Sequence, residues 1–128
     1  MRSLNRHIAV MGVAMMLATG TTLPANGQIV PYDPGLNDLA ETLGSIHYLT
    51  NLCADEKSNR WRDEMSDLLA TERPDPVRRS RLVASFNRGY RSFASVYVSC
   101  TDQARLAADQ FLARGAALAV EIENKYVQ

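Results

Sequence analysis

The stretch Pro74–Gln103, PDPVRRSRLVASFNRGYRSFASVYVSCTDQ, decides how the chain is to be read. Asp75 before Pro76 is a helix start: a short carboxylate takes first-turn N–H groups, and proline suits the first helical position. From there Leu82, Val83, Phe86, Tyr90, Phe93, Val96, Tyr97 and Cys100 recur at helical spacing, so one apolar face is expected from Pro76 to Cys100. Thr101 then caps a further helix. Gly89 falls at the edge of the apolar face, where a missing side chain lets another helix approach. Arg81, Arg88 and Arg91 fall on the opposite side, with Asn87 on the flank.

The same signals recur outward from this stretch. Upstream, Asp33 and Pro34 start a helix whose stripe is Leu36, Leu39, Leu43, Ile46, Thr50 and Cys53, ending near Ala54. Gly44 is a weak point in its middle. Ser58 caps a shorter helix carrying Trp61, Met65, Leu68 and Leu69, which "ERPDP" breaks. Downstream, Ala104, Ala107, Ala108, Phe111, Gly115, Leu118, Ala119, Ile122 and Tyr126 fall within about 120° of arc at roughly 100° per residue. There is no strand-like alternation and no repeat. Short connections favour antiparallel neighbours, so the fold expected is an all-α, four-helix up-and-down bundle.

Cys53 and Cys100 fit that topology. Each ends a helix, and the first and third helices of such a bundle run parallel, so both cysteines fall at one end. An even cysteine count in an exported chain points to a disulfide. Closing a loop of about 48 residues contributes roughly 4 kcal/mol on the chain-entropy model.

Export is read from the N-terminus. Arg2 and Arg6 precede the uncharged apolar run Ile8–Gly20, and small residues follow. That is the pattern of a signal peptide over residues 1–27, with cleavage expected after Ala25-Asn26-Gly27, or at Ala25 as the alternative. The run of 13 residues is short of the roughly 20 needed to cross a bilayer. The remaining residues, 28–128, then form a single helical domain in the periplasm with no transmembrane span. Loss of Arg2 and Arg6 takes the basic count from 14 to 12 against 14 acids, a net charge of −2. No nucleic-acid partner is indicated.

"YDPGLNDLAETLGSIHYLTNLC", "RWRDEM", "RRSRLVASFNRGYRSF" and "YVSCT" together resemble a family of small exported proteins of alphaproteobacteria, a domain of unknown function, over about Tyr32 to Tyr126. The resemblance implies an exported, cysteine-paired helical domain. It supplies no catalytic residue.

The residues themselves set bounds on the chemistry. After cleavage His47 is the one histidine, so no multi-histidine metal site is expected, and no metal or other cofactor. Paired cysteines leave no thiol nucleophile. Glu41 and Glu64 are the reasonable general acids for a small cell-wall hydrolase, but neither lies on an apolar stripe, so no catalytic residue is assigned. Between Pro76 and Cys100 stand five arginines and no acid. This strip pairs with Asp63, Glu64 or Asp67 of the second helix, or Arg81, Arg88 and Arg91 bind an anionic partner. That partner would be an acidic envelope protein, a lipid headgroup or a cell-wall carboxylate. Trp61 is a core anchor or an interface anchor. Tyr48 and Leu52 leave the end of the first helix apolar nearly all round, to be covered by "QIVPYDPG" or by a second subunit. The reading reached is a periplasmic binding or accessory module, with a hydrolase or a structural homodimer as alternatives.

Overall fold

The computed structural model describes residues 30–127. It holds four helices: α1 (Asp33–Leu52), α2 (Arg60–Glu72), α3 (Pro76–Ala94) and α4 (Asp102–Tyr126). The expected signal segment lies outside the described residues.

Contacts fix the helix directions. Asp33 meets Arg78, Glu41 meets Arg88 and Cys53 bonds Cys100, so α1 and α3 run parallel. Gly35 lies against Ile122 and Leu49 packs with Ala104, so α4 runs antiparallel to α1. Asn51 bonds the backbone of Ser58 just ahead of α2, whereas Tyr32 meets Glu72 at its far end, so α2 is antiparallel too. This is the up-and-down order expected.

The packing is less even than a four-cornered bundle. α2, α3 and α4 make their main contacts with α1 rather than with one another. Every residue from Thr42 to His47 is therefore buried. The single stripe read from the sequence is only part of the buried surface of α1. Ala40, Thr42, Ser45 and His47 face neighbours as well. Ser45 Oγ satisfies itself on the Glu41 carbonyl at 3.0 Å, as a buried hydroxyl must.

Gly44 is the chief correction to the sequence reading. A Cβ on Gly44 would lie 1.9 Å from the Phe86 carbonyl oxygen, and one on Gly89 would lie 1.9 Å from that of Glu41. The two glycines interlock α1 and α3 backbone against backbone. Gly44 costs helix propensity and makes the close approach possible.

Two caps are as expected. Asp75 accepts from the N–H groups of Val77 and Arg78, and Thr101 from that of Ala104. Two are displaced by one residue. Asn59 precedes α2, with Ser58 Oγ taking the Arg60 N–H, and Tyr32 precedes α1. Asp33 is the first residue of α1; its carboxylate takes the Val30 N–H and grips Arg78.

α3 stops at Ala94 instead of running to Cys100. The Phe93 carbonyl accepts from both Val96 and Tyr97 N–H groups, which closes the last turn. Ser92 and Ser95 hydroxyls compete for helix carbonyls. The Tyr48 hydroxyl donates to the Tyr97 carbonyl, which lies between α3 and α4. Val96, expected on the apolar face, is consequently exposed, as is Val98. The disulfide still forms between the end of α1 and the residue before the α4 cap, with Cα atoms 4.9 Å apart.

Candidate functional site

The arginines of α3 divide by position. Arg78 is 7% exposed and holds Asp33 in a fork, with Nη2 at 2.6 Å from Oδ1 and Nε at 3.1 Å from both oxygens. Nη2 also reaches Glu72 at 3.3 Å. Those bonds hold the guanidinium pKa above its ordinary value. One side chain thus ties the start of α1, the end of α2 and the start of α3. A cation at a helix N-terminus opposes the macrodipole, and that misplacement was the sequence signal that Arg78 needed acids of its own.

Arg88 is bound as well. Its Nε and Nη2 reach Glu41 Oε2 at 3.0 and 2.7 Å. The arginines therefore pair with α1 and with Glu72, not with Asp63, Glu64 or Asp67. The reason is topological: α3 and α2 both dock on α1, so the acids in reach of α3 are those of α1 and, at the α2–α3 turn, Glu72. Arg81 and Arg91 are exposed and hold no ion pair among the described residues. Of Arg81, Arg88 and Arg91, two stay free and the one between them is engaged.

His47 is 5% exposed. Its ring lies tilted against those of Phe86 and Tyr90, and Asn51 Nδ2 lies 3.3 Å from Nδ1. Burial, then the charge of Arg62, pushes its pKa below the ordinary value. Asn51 is itself fixed by both backbone groups of Ser58. This is a structural knot at the α1–α2 turn. Among the described residues no cluster of His, Cys, Asp or Glu is placed to hold a metal ion.

Tyr48 and Leu52 pack with Phe93, Tyr97 and Phe111 of the same chain. The end of α1 is thus covered by α3 and α4, and Tyr32 of the "QIVPYDPG" segment lies at the opposite end, against Tyr126. Glu41 sits at the α1–α3 contact and Glu64 on α2, so the two carboxylates weighed for hydrolysis are not brought together.

What the sequence did not show is a groove. α2 and α4 flank α1 and leave its side open. The floor is Leu39, Leu43 and Ile46. Trp61 and Leu68 form one wall, and Leu112, Ala116 and Ala119 the other. The enclosed volume is about 400 Å³, within the range of ligand sites. A second hollow of about 410 Å³ continues it past Trp61 and Leu112 towards Thr50 and Ala54. Together they follow α1 from Leu39 to Ala54, roughly 22 Å at 1.5 Å per residue. Glu64 and Asp67 stand on the rim of the first part, which no Lys or Arg lines. Arg60, at the second part, stacks over the Trp61 ring at 4.6 Å. Small residues on α4, Gly115, Ala116 and Ala119, keep the channel open. Gly115 also admits Ile46, whose Cδ1 would lie 3.3 Å from an added Cβ. Trp61 is half-buried: it packs on the core, as one reading expected, and its ring also lines the groove.

No curated protein and no solved structure matches this chain. The family model of a protein of unknown function, DUF2385, matches residues 31–126, all four helices and both cysteines, and the chain belongs to that family.

Proposed function

We propose that the protein is exported, loses residues 1–27 and works in the periplasm as a binding module whose working surface is the α2–α4 groove. Export is supported by the charged and apolar pattern of the N-terminus and by a disulfide, which persists in oxidising compartments. No described helix is long and apolar enough to cross a membrane.

The observation that carries the binding reading is the elongated apolar channel with an acidic rim. Its length suits four turns of a helix better than a compact ligand. Apolar side chains of an amphipathic partner helix would lie on Leu39, Leu43 and Trp61, with Lys or Arg towards Glu64 and Asp67. The occupant is therefore a basic amphipathic helix of an envelope protein. The arginine face of α3 is a weaker candidate for an anionic partner, because Glu41 occupies Arg88 between Arg81 and Arg91.

Trp61, the sole tryptophan, reports occupancy directly. A synthetic Leu/Lys amphipathic peptide should shift its emission to the blue and saturate, whereas a Leu/Glu peptide of the same pattern should not. Equal responses, or none, would reject the groove as a site for a basic helix.

A further inference from the structure

We infer that the outer face of α4 is a self-association surface on which two copies pack antiparallel about a two-fold axis near Ala117 and Val120. This rests on a different surface from the groove and stands without it.

α4 buries Ala104, Ala108 and Gly115 against α1. On its opposite side Leu106, Ala113, Ala117 and Val120 fall within about 60° of arc at 100° per residue. Their spacing, seven, four and three residues, is that of a helix–helix seam with a repeat of about 3.5 residues. Leu106 is 58% and Val120 55% exposed, and the other seam positions, Gln103, Gln110 and Asn124, are uncharged. The alanines between them let a second helix come close. A leucine and a valine held in register on the outside of the longest helix are unused by the fold.

The charges beside the seam say what covers it. Arg114 and Glu121 lie on the same edge, one heptad apart, opposite in sign, and neither holds an ion pair among the described residues. In an isologous antiparallel pair each edge faces its own copy. Arg114 then meets Glu121 of the partner subunit, and Glu121 meets the partner's Arg114. A parallel pair would set Arg114 against Asp109 of the partner subunit but Glu121 against alanine at position 116, so the antiparallel pair alone uses both charges. The edge is thus self-complementary for a second copy of this chain in one orientation.

The test is sedimentation equilibrium on the disulfide-bonded protein purified from the producing cell. The wild type should be a dimer. Arg114→Glu alone and Glu121→Arg alone should each weaken association about tenfold or more, since each turns two attractions into two repulsions. An equimolar mixture of the two variants should restore a heterodimer at wild-type strength, because every cross-pair is attractive again. Both positions are exposed, so circular dichroism should show unchanged folds; if one variant fails to fold, Arg114→Gln and Glu121→Gln replace the pair and should each weaken association. A monomeric wild type, variants that associate as tightly as the wild type, or a mixture no tighter than its components would overturn the inference.

Discussion

The two flanks of α1 are built in opposite ways. Towards α3 the contact is backbone on backbone: Gly44 and Gly89 interlock, Arg78 and Arg88 clamp acids of α1, and the disulfide closes the end. Towards α2 and α4 the contact is side chain on side chain, with a channel left between the two outer helices. The first flank tolerates no added atom. The second has room.

Removing the disulfide should break the tight flank most severely. Cys53→Ser with Cys100→Ser should cost about 4 kcal/mol by urea unfolding, a large share of the roughly 5–15 kcal/mol that holds a domain folded. A loss below about 1 kcal/mol would show that the glycine seam holds the end of α1 without the covalent link.

Next comes the seam itself. Helix propensity alone predicts that Gly44→Ala or Gly89→Ala stabilises by roughly 1 kcal/mol. The seam predicts the reverse, a loss of about 3 kcal/mol, because a methyl would displace a carbonyl of the facing backbone. Gly115→Ala, on the open flank, meets only side-chain ends, Ile46 Cδ1 and Thr42 Cγ2, and should change stability by less than about 1 kcal/mol. A loss at Gly115 equal to that at Gly89 would erase the contrast.

The smallest effect is the pH response of His47. Its folded pKa is lowered, so the unfolded chain takes up the proton first. Stability is then full above the ordinary imidazole value, about pH 6.5, and falls as pH drops below it through the lowered folded value. His47→Gln should flatten that part of the melting-temperature profile.

The tight flank was partly legible in the sequence. Asp75-Pro76, Thr101, the cysteine pair and Gly89 each carry a local rule, and local rules survive without knowledge of the neighbours. Gly44 was misread because its value depends on a carbonyl of another helix. The end of α3 was missed because apolar spacing continues through Val96 and Tyr97 while serine hydroxyls and the Phe93 carbonyl stop the helix. The groove had no signal at all. It arises from a distance between α2 and α4, and its residues read in the sequence as ordinary core positions: Leu39, Leu43, Trp61 and Ala119 all lie on expected stripes. The arginine strip misled for the converse reason. Its charge was plain, but Glu41, Asp33 and Glu72 are brought to it only by the fold.

The contrast between the flanks is tested most directly by titrating the Leu/Lys peptide into two variants while reading Trp61. Ala116→Arg places a cation and bulk in the groove and should abolish the response with the melt unchanged. Arg81→Gln with Arg91→Gln alters the exposed face of α3 and should leave the response as in the wild type. A response that survives Ala116→Arg and is lost with the two arginines would contradict the assignment of binding to the open flank.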